Sequence, residues 1–239
     1  MATLDLGILV SGRGTNLQAV LDAIAGSRLD ARVCIVVANR PGAPALTRAA
    51  LAGAATAVVD HRSFDTRPAF ERALVAELRR ASASWVLLAG FMRVLGPAFL
   101  DAFPGRVLNV HPALCPAFPG RDAQARALAA GVRVTGCTVH VVTEQLDAGP
   151  IIAQAVVPVL ADDDVDSLST RILQREHELV VSVLQWLAEG RVRITPAAEP
   201  GLRATVHTRD LLPVLGLLPH ELERGAALAP EPQRPEGVR

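Results

Sequence analysis

Short apolar runs recur along the first half of the chain, and each is followed by a stretch whose apolar positions return every three to four residues. "LDLGILV", residues 4–10, breaks at "SGRG" and passes into "NLQAVLDAI". The same unit follows in "ARVCIVVAN" before "APALTRAALAGA", "ATAVVD" before "TRPAFERALVAELRRA", and "SWVLLAG" before "GPAFLDAF", with "RVLNV" closing the series. Apolar runs bounded by turn residues predict strands, and the three-to-four spacing predicts helices. Strands that alternate with helices predict the α/β class: a mostly parallel central sheet, right-handed crossovers and helices on both faces.

After residue 120 the pattern changes. "DAQARALAAG" predicts a helix, and "GCTVHVVTE" with "PIIAQAVVPV" predicts a C-terminal antiparallel strand pair joined through "QLDAG". "DVDSLSTRILQREHELVVSVLQWLAEG" predicts a long helix, and the acids at its start suit a helix N-terminus. Leu168, Ile172, Leu179, Val183 and Leu187 form its apolar stripe, and Glu176 falls within that stripe rather than opposite it. From about residue 196 the order fades. The expected division is one catalytic domain over 1–195 and an extension over 196–239. The last stretch, "ERGAALAPEPQRPEGVR", is rich in Pro, Glu and Arg and is expected to be disordered.

Composition narrows the chemistry. The chain has 239 residues, half of them apolar, enough to bury a sizeable core. Its 24 basic and 24 acidic residues cancel, and no basic stripe is present, so nucleic acid is not expected as a partner. No apolar run approaches the roughly 18 to 20 residues that span a bilayer, and the N-terminus lacks the pattern of a signal peptide; a cytoplasmic location without membrane attachment is expected. Cys34, Cys115 and Cys137 form no Cys-x-x-Cys pair and suggest neither disulfides nor a zinc knuckle. Lysine and tyrosine are absent altogether, which removes Schiff-base, Walker-lysine and tyrosine-acid chemistry.

Ligands of open α/β sheets bind beyond the carboxyl ends of the strands, so those ends hold the candidates. At the first, "SGRGTNLQ" offers a tight turn and a helix N-terminus, on which a phosphate could rest at Gly14, Thr15 and Asn16. A dinucleotide site is disfavoured, because Leu17 replaces the third glycine and the second strand ends in "VANR" rather than an acid. At the fourth, "LLAGFMRVLGPAFL" provides Phe91, Met92, Val94 and Leu95 as an apolar surface for a flat ring, or else as core. The fifth strand delivers Asn109 and His111, two apart and therefore on one side: an amide for a developing oxyanion beside a ring that moves protons near neutral pH.

Asp147, in a turn fixed by Gly149 and Pro150, is either an ordinary turn acid or the partner that orients His111. Glu176 either pairs with an arginine such as Arg171 or accepts an amine-bearing substrate. His140, inside "CTVHVV", reads as a strand residue, and a metal site from His111, His140 and Asp147 lacks any compact ligand motif, so no metal is expected. Cys115 has no evident basic partner and is not expected to act as a nucleophile.

Taken together and in this order, "SGRGTNLQ", "LAGFMRVL", "LNVHPALCPAFPG", "TGCTVHVV" and "LDAGPII" resemble the folate-dependent phosphoribosylglycinamide formyltransferases, from residue 7 to about 194. The resemblance implies a Rossmann-like formyltransferase fold. It implies transfer of a formyl group from 10-formyltetrahydrofolate, as co-substrate, to the amine of phosphoribosylglycinamide, a step of purine synthesis. Asn109, His111 and Asp147 would be the catalytic trio, and Gly14, Thr15 and Asn16 would hold the phosphate. Glu176 would lie on the glycinamide side. Arg67, Met92, Arg93, Val94, Leu95 and Asn109 would line the folate pocket. Partners would be these small molecules, and the protein a monomer or homodimer.

The chain departs from the bacterial pattern at "RDAQARAL", which lacks the histidines some relatives carry there, and at Cys115, where leucine is common. Two rivals share the fold. Methionyl-tRNA formyltransferase is disfavoured because the residues after 195 are too few and too apolar for a tRNA-binding domain. A formyltetrahydrofolate hydrolase is disfavoured because the first strand begins within five residues of Met1. A nucleotide-binding module without catalysis would tolerate replacement of Asn109 and His111.

Overall fold

The computed structural model describes residues 3–196 and 202–206. Four β/α steps and a fifth strand come first: β1 (Leu4–Val10), α1 (Thr15–Ala25), β2 (Ala31–Ala38), α2 (Pro44–Leu51), β3 (Thr56–Val58), α3 (Arg67–Arg80), β4 (Trp85–Leu88), α4 (Pro97–Leu100) and β5 (Val107–His111). Then come α5 (Ala123–Ala129), β6 (Val134–Val141), β7 (Ile151–Pro158), α6 (Val165–Ala188), β8 (Val192–Pro196) and β9 (Leu202–Val206).

Seven strands form one sheet in the order β3-β2-β1-β4-β5-β6-β7. The first five are parallel, while β6 runs antiparallel to both β5 and β7, so the expected antiparallel pair extends the main sheet. The strand order reverses between β1 and β4, and this switch opens a crevice at the carboxyl ends of the two strands.

Period-two alternation feeds both faces of the sheet. On one, Leu9, Val37, Val86, Leu88 and Val107 pack with Phe70, Leu74 and Leu78 of α3 and with Phe99 of α4. On the other, Ile8 and Val10 are fully buried on the side of α1 and α6, whose Leu17, Val20, Leu168, Ile172 and Leu179 are likewise fully buried. The long helix starts where the acids predict: Asp164 accepts from the Ser167 N–H at 2.8 Å, and the Ser167 hydroxyl accepts from the Asp164 N–H at 3.0 Å.

Two elements differ from expectation. "GPAFLDAF" is helical only over Pro97–Leu100 and then turns through Phe103 to Gly105. The hairpin of β8 and β9 carries regular pairing across the expected 195/196 boundary and into the stretch where the pattern fades. The expected disordered tail lies outside the described residues.

Candidate active site

The turn after β1 meets the sequence's requirement for close approach. Gly14 caps α1 at φ +73°, and a side chain there would come within 2.5 Å of the Ala45 Cβ. The first helical hydrogen bond runs from Gln18 N–H to the Gly14 carbonyl at 2.9 Å. The N–H groups of Thr15, Asn16 and Leu17 therefore have no acceptor within the helix, the arrangement that suits an anion at a helix N-terminus. They open on a cleft of about 910 Å3, whose walls include Arg13, Arg40, Gly90, Arg93, Asp166, Thr170 and Glu176.

Glu176 is buried on α6, as its place in the apolar stripe requires, and its partner is not Arg171. Arg171 is held by Asp163 at 2.7 and 2.8 Å, whereas Glu176 accepts from the Asn16 amide at 2.8 Å. Burial pushes the Glu176 carboxyl up to about 7, against a weaker downward pull from Asn16. The Asn16 amide nitrogen is thus committed to Glu176, while its buried Oδ1 has no hydrogen-bond partner among the described residues.

Asn109 and His111 end β5 and meet Asp147, whose loop bends back at φ +50°. Asp147 Oδ2 lies 3.3 Å from His111 Nδ1 and accepts from the Gly120 N–H at 2.8 Å, while Oδ1 accepts from Asn109 Nδ2 at 3.3 Å. Burial works to raise the Asp147 carboxyl, but the His140 ring, the Gly120 N–H and the His111 charge outweigh it and hold the group below its ordinary value. The other ring nitrogen of His111, Nε2, donates to the Phe118 carbonyl at 2.9 Å. Thus the loop after β5 lies directly on His111 and Asp147.

Of the expected folate residues, Arg93, Val94, Leu95 and Asn109 line one small cavity of about 80 Å3 together with Leu88, Phe91, Leu146 and Asp147. Met92 faces the large cleft instead, and Arg93 borders both spaces. Arg67 is not brought into either; its Nε pairs with the buried Glu71 at 3.3 Å, and its guanidinium lies against Gly96 at the rim of the same loop.

Residues 6–184 match the formyl transferase family model. The phosphoribosylglycinamide formyltransferase of Escherichia coli K12 is 41% identical over 191 residues, 80% of this chain and 90% of that protein. The chain belongs to the formyl transferase family. The human trifunctional purine biosynthetic protein adenosine-3 is 41% identical over 79% of this chain, a match that covers 19% of that longer protein. A crystal structure of glycinamide ribonucleotide transformylase 1 from Symbiobacterium toebii superposes with a TM-score of 0.81 at 45% identity, covering 85% of this chain and 94% of that one.

In this formyl transferase the site contains a residue that periodicity alone assigned to the sheet. His140 does belong to β6, but its Nε2 lies 3.2 Å from Asn109 Nδ2 and 3.7 Å from Asp147 Oδ1. Its Nδ1 donates to the Val141 carbonyl at 3.0 Å, which fixes the ring. The antiparallel register that sets Asn109 opposite His140 is the signal that finds it, and this register follows from the strand pairing rather than from either segment alone. Phe118 and Gly120 contribute through backbone atoms, which leave no mark in side-chain chemistry.

Proposed function

We propose that the enzyme transfers the formyl group of 10-formyltetrahydrofolate to the amine of phosphoribosylglycinamide, giving the formylated ribonucleotide and tetrahydrofolate. The observation that carries this reading is the convergence of Asn109, His111 and Asp147 beside a small cavity lined by Val94 and Leu95, while Val110 and Pro112 of the same segment border the cleft at the α1 N-terminus. The names of the relatives favour the same reaction.

The phosphate rests on the α1 N-terminus at Gly14, Thr15 and Asn16, and Glu176 receives the glycinamide amine. The pterin lies against Val94 and Leu95, with Arg93 at the junction, Met92 facing the large cleft and Arg67 lining neither space. The neutral amine attacks the formyl carbon and forms a C–N bond; the carbonyl electron pair moves to oxygen. The resulting oxyanion is stabilised by the Asn109 amide and the His111 N–H, while Asp147 keeps the ring oriented. The new ammonium loses its proton, the folate nitrogen gains one, and the old C–N bond breaks. No step requires a metal ion. The same reading places the enzyme in the cytoplasm, on the strength of relatives named for purine biosynthesis.

Ultraviolet detection of the folate product, with the ribonucleotide present and then omitted, tests the assignment. Product only in its presence is the expected result. Equal product without it identifies a hydrolase, and none in either case identifies a binding module; both outcomes reject the proposal.

A further inference from the structure

A second cavity, of about 530 Å3, lies between the outer faces of α1, α2 and α6. It contains none of Asn109, His111 and Asp147, and it meets the reaction cleft only at Thr15. Its two acids are already engaged: Asp22 accepts from the Gln18 amide at 2.8 Å, and Glu178 accepts from Arg175 at 2.7 Å.

The charged groups left over are donors. Arg28, exposed on the turn after α1, has no ion pair among the described residues. Arg48 gives Nε to the Arg13 carbonyl at 2.9 Å and Nη1 to Gln18 at 3.1 Å, which leaves Nη2 for a further acceptor. His177 also lines the groove, but its Nε2 is shut off from solvent and is not open to a ligand there.

Two guanidinium groups select an anion with several acceptor oxygens, a phosphate above all. The cavity is larger than inorganic phosphate requires and falls within the usual range for small-molecule sites. Ala19 and Val181 supply apolar lining against which a flat ring can lie. We propose that this groove is a second ligand site, for a phosphomonoester of mononucleotide size. The bound phosphate lies between Arg28 and Arg48.

The site is read by binding, without turnover, so its test stands apart from the proposed reaction. The full chain and two variants, Arg28→Glu and Val181→Trp, are titrated calorimetrically with adenosine monophosphate, inorganic phosphate and adenosine. Arg28 and Val181 lie outside the reaction cleft, so any binding there is common to all three proteins. The expected result is an adenosine monophosphate binding event in the unaltered chain whose Kd weakens at least tenfold in each variant. Inorganic phosphate competes for it, and adenosine binds at least tenfold more weakly. Equal affinity and stoichiometry in all three proteins overturns the proposal, as does adenosine binding as tightly as its monophosphate.

Discussion

Glu176 is a carboxyl buried by an apolar helix face and given one amide as its partner. Its value near 7 lies above the ordinary 4.5, so the folded chain holds this proton more tightly than the unfolded chain does. The stabilisation is fully present below about pH 4.5 and is lost as pH rises toward 7, a change on the order of 3 kcal/mol. Denaturant melts across that window should therefore show falling stability, and Glu176→Gln should flatten this component. At the reacting carbon, removal of one oxyanion donor costs about 3 to 4 kcal/mol of barrier. Asn109→Ala should slow turnover about a hundredfold or more, read as kcat with both substrates saturating.

At the scale of elements, the loop from β6 to β7 decides where Asp147 points. A Cβ on Gly149 would fall 1.8 Å from the Val141 carbonyl oxygen, so the chain there can pass β6 only as glycine. Gly149→Ala must displace the loop. A loss of about 2 kcal/mol or more in chemical denaturation is expected, with kcat reduced at least tenfold because Asp147 leaves its place between His111 and Asn109. The cap of α6 is a smaller matter: Asp164→Ala should cost about 1 kcal/mol of stability and leave kcat unchanged.

These same elements show what the letters carried. The parallel steps, the antiparallel pair and the long helix were legible because each has a local period and local stop signals. So were Asn109 and His111, since a spacing of two on a strand fixes their side. Arg67 was assigned by resemblance rather than by chemistry, and its contact with Glu71 depends on where α3 packs. His140 could not be separated from an ordinary strand residue, because its role arises from a register between segments about thirty residues apart.

Across the whole molecule, neutral net charge conceals a local asymmetry. Arg13, Arg40 and Arg93 ring the reaction cleft and make no ion pairs among the described residues. Their combined field favours an anionic substrate and is weakened by salt. The KM for the phosphorylated substrate should rise severalfold between about 0.05 and 0.5 M salt, while kcat changes much less.

The contact between Phe118 and His111 bears on how fast such a molecule can work. With Nε2 donating to a peptide carbonyl of its own chain, the imidazole is already occupied, and any formyl oxygen that approaches that nitrogen arrives as a competitor. In the proposed mechanism each cycle would begin by displacing residues near 118 from the ring and end with their return. Movement of that peptide segment through solvent then becomes part of each turnover, and a fall in kcat as the solvent is thickened is its expected mark.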